Sequence, residues 1–166
     1  MIPNMLVVLA SALIPMVVGA LYYNPKLLGT AWMHASGMTE EKIKNGNMLK
    51  MLLLSFICAF IFSFFLFMLV VHQTDVYSLY ASEDGFMKEG SEVMNRLDTL
   101  MLEFGDRFRT FKHGALHGTL IGLLFVTPIL GTIALFEQKS FKYVAINGGY
   151  WIITLALMGG VLCQFG

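Results

Sequence analysis

Three of the four histidines lie at the ends of two long apolar stretches. His72 follows one stretch, while His113 and His117 open the next, four residues apart. Side chains at i and i+4 lie on one face of a helix, the arrangement that lets two imidazoles bind one metal ion. A chain that crosses a membrane along one stretch and returns along the next brings all three histidines to one membrane face. Three carboxylates are near enough in sequence to complete a ligand shell: Asp75, Glu103 and Asp106.

This histidine pattern has two interpretations. An HxxxH spacing without the glutamate of an HExxH motif is a weak metal signal. Histidines at a membrane interface also form hydrogen bonds to neighbouring helix ends. The sequence therefore requires no cofactor, and a Zn²⁺ site on His72, His113 and His117 is the alternative hypothesis.

A second group of polar and aromatic residues is expected at the opposite membrane face. Asn147 is an amide well inside the last apolar stretch, and a buried amide needs hydrogen-bond partners. Tyr23, Asn24 or a backbone carbonyl freed by Pro25 could supply them. The group is either a clasp between two helices or a small polar pocket for a lipid headgroup or solute. Its members are Tyr22, Tyr23, Asn24, Trp32, Glu137, Lys139, Asn147 and Tyr150.

The elements that position these residues are predicted to be membrane-spanning helices. Apolar residues make up 57% of the 166 residues and charged residues 13%, a more apolar balance than a water-soluble core requires. Four near-continuous apolar stretches each reach the roughly 20 residues that cross a bilayer as a helix, and they lack the alternation of barrel strands. We predict an all-α fold, a bundle of four transmembrane helices in a single membrane domain of residues 1–166. The predicted spans are 5–23, 48–71, 114–136 and 143–165.

The connection between the second and third spans, residues 73–112, is acidic and contains an amphipathic helix. Its apolar residues recur at helical spacing, and two pairs, Glu92/Arg96 and Glu103/Arg107, have the i,i+4 spacing of helical ion pairs. We expect this helix to run directly into the third span. The residues on its apolar face are Val93, Leu97, Leu100, Met101, Phe104, Phe108 and Phe111.

The placement of lysine and arginine predicts the orientation in the membrane. The first and third connections, together with Lys50 at the start of the second span, hold six lysines against three acids, whereas the central segment holds five bases against eight acids. Positively charged connections remain in the cytoplasm, so both termini and residues 73–112 are expected on the outer side. Eleven acidic and eleven basic residues balance, and no basic face for nucleic acid is apparent.

Small residues repeat every four positions on three of the predicted spans. Such stripes let two helix backbones approach closely in lipid. They predict either contacts among the helices of one chain or an interface between subunits. The residues are Gly114, Gly118 and Gly122 on the third span, Ser55, Ala59 and Ser63 on the second, and Ala156 and Gly160 on the fourth.

Several short motifs resemble those of a bacterial membrane family catalogued as domain of unknown function 1761. They are the run from Gly19 to Pro25 with Leu28-Gly29 and Trp32, and, near the last span, Leu135-Phe136-Glu137, Lys139-Ser140-Phe141, Ile146-Asn147 and Tyr150-Trp151. Together they cover the first span with its following loop and the last two spans. The resemblance implies a four-helix protein of the bacterial inner membrane and brings no established activity.

These observations lead to one functional hypothesis and two alternatives. The chain lacks a paired nucleophile and base, a phosphate-binding glycine loop and any carboxylate inside the spans, which favours a non-enzymatic protein without excluding an enzyme. We expect a multi-pass protein of the lipid bilayer that self-associates or serves as an accessory subunit of a membrane complex. The alternatives are an outward-facing metal-binding protein or metalloenzyme that uses His72, His113 and His117, and a small oligomeric channel or carrier.

Overall fold

All the regular secondary structure in the residues that the structure describes, 3–166, is helical. The structure is a computed structural model, and it contains no strand within that range. The helices in chain order are α1 (Met5–Tyr22), α2 (Gly29–Ser36), α3 (Glu40–Lys44), α4 (Met48–Val70), α5 (Gln73–Leu79), α6 (Glu92–Phe104), α7 (Phe111–Ile121), α8 (Thr127–Phe136) and α9 (Phe141–Phe165). A five-residue π-helical turn, Gly122–Val126, joins α7 to α8.

Four helical segments are long and apolar enough to cross a membrane, as the sequence predicts. They are α1, α4, the continuous segment Phe111–Phe136 and α9. The third and fourth spans begin slightly earlier than predicted, because Thr110 and Ser140 cap them with side-chain oxygens that accept from backbone amides. The chain is therefore a multi-pass membrane protein.

Helix α9 lies at the centre of the packing. It contacts α1, α4 and α7, and it is the most buried of the four spans. Leu155, Met158 and Leu162 of α9 are fully buried against residues of α1 and α4. Large apolar side chains on α4 and on the third span point outward, which suits contact with lipid.

The glycine stripe of the third span contacts α9 of the same chain. A β-carbon at Gly118 would overlap the backbone carbonyl of Leu155, and one at Gly114 would overlap that of Gly159. At Gly122 a β-carbon would lie 2.7 Å from the Cα of Ile152. The close backbone approach that the stripe predicts is thus made within one chain.

The other small residues divide between buried and exposed positions. Ser63 is fully buried, and its hydroxyl donates to the carbonyl of Val8 on α1 at 3.1 Å. Ala59 is buried as well, whereas Ser55 is exposed, so the stripe on α4 is used over only part of its length. On α9, Gly160 accommodates the ring of Phe111 and Ala156 is half-buried.

The central segment differs from the prediction in two respects, the end of α6 and one ion pair. Helix α6 ends at Phe104 and does not run into the third span, because residues 105–110 form an irregular turn and Thr110 starts a new helix. Arg96 pairs with Glu92 at 2.6 Å. The predicted pair of Glu103 with Arg107 is wrong, since no such salt bridge forms among the described residues. The apolar face of α6 turns toward α5, with Leu97 fully buried.

Candidate functional site

Two elements bring the three histidines together at the end of the protein where α4 finishes and α7 begins. His72 immediately precedes α5 and directly follows Val71, the buried residue that caps the end of α4. His113 and His117 lie on the first turns of α7, whose start is set by the Thr110 hydroxyl, which accepts from the amide of His113 at 3.3 Å. These three residues, His72, His113 and His117, form the histidine cluster. The ends of α4 and α7 position them.

The ring nitrogens of the histidine cluster are close enough to share one ion. One nitrogen from each of His72, His113 and His117 lies within 4.8 Å of the others. The Nε2 atoms of His72 and His113 are 2.9 Å apart, a hydrogen-bond distance. Tetrahedral Zn²⁺ with bonds of about 2.0–2.1 Å separates its nitrogen ligands by about 3.3 Å. A small rotation of the two rings would increase the distance between the Nε2 atoms of His72 and His113 to the value that Zn²⁺ requires.

Phe108 packs against the histidine cluster from an unusual backbone conformation. Its ring stacks on His113, with centroids 4.9 Å apart and planes inclined by 19°, and meets His72 edge to face at 6.2 Å. Its φ of 64° is a left-handed conformation that side chains other than glycine rarely adopt. The Sγ of Cys163 on α9 donates to the Phe108 carbonyl at 3.3 Å, which helps to hold this backbone. Such local strain concentrates at functional sites.

The turn of residues 105–110 is fixed to the helices on both sides. The buried amide group of Gln73 donates to the carbonyls of Phe104 and Arg107, at 2.8 and 2.9 Å. On the other side Arg109 donates to the carbonyl of Gly166. The amide of Phe111 donates to Gln164 Oε1 at 3.1 Å. The ring of Phe108 is thus held in place by both α5 and α9.

The predicted carboxylate ligands do not join the histidine cluster. Among the described residues, the group that could hold a metal consists of the three histidines alone. Asp75, Glu103 and Asp106 are exposed to solvent. Three neutral imidazoles form a ligand set that suits Zn²⁺, Cu²⁺, Ni²⁺ or Fe²⁺ rather than the oxygen-seeking Mg²⁺ or Ca²⁺.

At the opposite end, Asn147 ties the fourth span to the first. The phenol of Tyr23 donates to Asn147 Oδ1 at 2.9 Å, and Asn147 Nδ2 donates to the carbonyl of Tyr143 at 2.8 Å. The phenol of Tyr150 donates to the carbonyl of Pro15 at 3.0 Å. Since these polar groups satisfy one another, the arrangement is a clasp between α1 and α9.

Other residues predicted for this end divide into two groups. The rings of Tyr22, Trp32 and Tyr150 surround Tyr23, with centroid distances of 5.1–5.4 Å from Tyr23 to each. Lys139 donates to the carbonyl of Ser36 at 2.8 Å, which connects α2 to the segment between the third and fourth spans. Two predicted members stand apart from the Asn147 hydrogen bonds: Asn24 accepts from the amide of Lys26, and Glu137 is exposed.

A family model described as a protein of unknown function (DUF1761) matches residues 6–163. The chain belongs to this family. No curated protein and no solved structure matches it.

The match to the DUF1761 family extends over the central segment as well as the spans that carry the sequence motifs. It therefore includes the histidine cluster and the Asn147 clasp.

Gln73 is not among the residues predicted for either site, although its side chain fixes the turn that holds Phe108. A glutamine directly after a long apolar run is a signal that could have identified it, because a polar side chain at such a place needs partners.

Proposed function

We propose that this chain is a membrane protein that binds one divalent transition-metal ion, Zn²⁺ in the simplest case, on His72, His113 and His117. The observation that supports this function is the convergence of three imidazoles from two separate elements to within 4.8 Å. Two of these residues follow a helical i,i+4 spacing. The third, His72, comes from 41 residues earlier in the chain than His113.

The site would supply three protein ligands and leave a fourth position for water or a substrate. Zinc sites with an open position are typical of catalysis or of metal transfer, whereas structural sites use four protein ligands. The Lys-rich first and third connections support a location of the site on the outer face of a bacterial inner membrane. Both termini and residues 73–112 would share that face.

The earlier hypothesis of a self-associating or accessory subunit has less support. That hypothesis was based on the small-residue stripes and on the amphipathic helix of the central segment, and the glycines at 114, 118 and 122 contact α9 of their own chain. Self-association and an oligomeric channel or carrier therefore remain predictions from the sequence.

The test is a Zn²⁺ titration of the purified protein in mild detergent, followed by calorimetry and by elemental analysis after desalting. We expect one ion per chain in the unaltered protein. His113→Ala should weaken binding by more than the roughly 10–100-fold typical of lost outer-shell contacts, because it removes a ligand itself.

His34→Ala is the matched control, since His34 lies on α2 at the opposite end of the protein. It should bind Zn²⁺ like the unaltered protein. Circular dichroism of each variant distinguishes a lost ligand from a lost fold. Unaltered protein that retains no ion after exposure to Zn²⁺, or equal binding by His113→Ala, would refute the proposed function.

A further inference from the structure

A cavity of about 270 Å³ adjoins the histidine cluster. It lies between α5, the end of α6 and the turn that follows α6. His72 contributes to its wall. Its volume is slightly below the range of about 300–1,000 Å³ typical of drug-sized ligands, so an occupant would be small.

The wall of the cavity is largely apolar. Val76 from α5, Met101 and Phe104 from α6, and Phe108 from the turn supply carbon surface. Gln73 also lines the cavity, but its amide nitrogen already donates to two backbone carbonyls. The imidazole of His72 and the guanidinium of Arg107 therefore remain as the side chains of the wall that could donate hydrogen bonds to a negatively charged part of a ligand.

Arg107 is available to bind an anion. Its guanidinium carbon lies 5.2 Å from the ring centre of Phe104 and 5.9 Å from that of Phe108, so two aromatic rings hold it beside the cavity. Within residues 3–166 no carboxylate forms a salt bridge with it. A planar guanidinium with free N–H groups is suited to a carboxylate, which it can bind with two parallel hydrogen bonds.

We propose that the cavity binds a small carboxylate with an apolar body, whose head group occupies the open position on the metal and pairs with Arg107. This inference rests on the proposed function, because the metal supplies half of the recognition. The apolar body lies against Val76, Met101 and Phe104, where burial of carbon surface contributes affinity. A carboxylate is favoured over a neutral group because both the metal and the guanidinium are positively charged.

The test uses Co²⁺ in place of Zn²⁺, because tetrahedral Co²⁺ has visible absorption bands that change when a ligand enters its coordination shell. This signal does not respond to molecules that merely dissolve in the detergent. The Co²⁺-loaded protein is titrated with octanoate, with 1-octanol, which keeps the chain but lacks the charge, and with acetate, which keeps the charge but lacks the chain. Octanoate should change the spectrum with saturation, 1-octanol should not, and acetate should need at least about tenfold higher concentration.

The Arg107→Gln variant separates the role of the Arg107 guanidinium from that of the metal ion. It should retain the Co²⁺ bands and bind octanoate about tenfold more weakly, the loss expected for one charge-assisted pair. Arg96→Gln is the matched control, since Arg96 lies nearby on α6, whereas Arg107 lies in the turn after it, and Arg96 pairs with Glu92 on the surface. That variant should bind octanoate like the unaltered protein.

Each result bears on a different statement. Absence of tetrahedral Co²⁺ bands in the unaltered protein would overturn the proposed function and this inference together. Normal Co²⁺ bands that do not respond to octanoate, or respond equally to 1-octanol, would overturn the inference and leave the metal site standing. Equal octanoate binding by Arg107→Gln and Arg96→Gln would also overturn it, because the recognition depends on Arg107.

Discussion

Replacing Gly118 by alanine tests the close contact between α7 and α9 most directly. A β-carbon at this position would overlap the carbonyl group of Leu155, and a backbone atom cannot rotate away as a side chain can. The two helices would have to separate. The same replacement at Gly122 is milder: its β-carbon would lie 2.7 Å from the Cα of Ile152, about 0.7 Å inside the 3.4 Å at which ordinary contact begins.

The size of the effect follows from that separation. A gap of about 0.5–1 Å removes about a quarter to a half of the dispersion energy of each atom pair across an interface. Overpacking of this kind costs about 1–3 kcal/mol, and the higher helix propensity of alanine returns up to about 1 kcal/mol. We expect Gly122→Ala to lower the free energy of unfolding by about 1 kcal/mol and Gly118→Ala by about 2 kcal/mol or more.

The assay is unfolding in mixed micelles titrated with sodium dodecyl sulfate, followed by circular dichroism. Gly131→Ala is the matched control, because a β-carbon there would lie 4.0 Å from Val144 Cγ1 and fits without movement. It should unfold at the same point as the unaltered protein or slightly later. If Gly118→Ala were as stable as Gly131→Ala, the glycine stripe would not face α9. That result would favour an interface between two copies of the chain at the stripe.

Two further predictions concern the clasp and the strained turn. Tyr23→Phe removes the donor to Asn147 Oδ1 and should lower the free energy of unfolding by about 1 kcal/mol, whereas Tyr143→Phe should not, because Asn147 bonds the backbone of Tyr143. Equal stability of the two variants in the same unfolding assay would contradict the clasp. Phe108→Gly should be more stable than Phe108→Ala by about 1 kcal/mol, because glycine adopts a positive φ without steric cost. Equal unfolding midpoints would argue against a left-handed backbone at this residue.

The four spans could be predicted from the sequence because a bilayer imposes a minimum length of apolar helix. Their ends are harder to predict, since they depend on single capping side chains. Capped by Thr110, the third span begins at Phe111, three residues before the predicted start at Gly114. Capped by Ser140, the fourth begins at Phe141 rather than at Tyr143. Hydropathy does not distinguish such polar caps from ordinary loop residues.

The end of α6 could not be predicted because the apolar spacing continues past it. Phe108 and Phe111 fit the helical pattern of α6 and yet lie in the turn and in α7. A pattern of apolar residues records which side chains need burial, and a chain can satisfy that need with two helices as well as with one. The left-handed backbone at Phe108 could not be predicted from the sequence either, since phenylalanine is not a residue type that indicates a positive φ.

That turn makes the histidine cluster and the neighbouring cavity depend on each other. The ring of Phe108 stacks on His113 and also lines the cavity. Gln73 holds the turn through its carbonyls and lies directly after His72, a proposed metal ligand. Movement of the turn would therefore change the positions of the three imidazoles and the shape of the cavity together. If the proposed site binds a metal, a molecule bound in the cavity should stabilise the imidazole arrangement that the metal requires, and by linkage the metal should increase affinity for that molecule by the same factor.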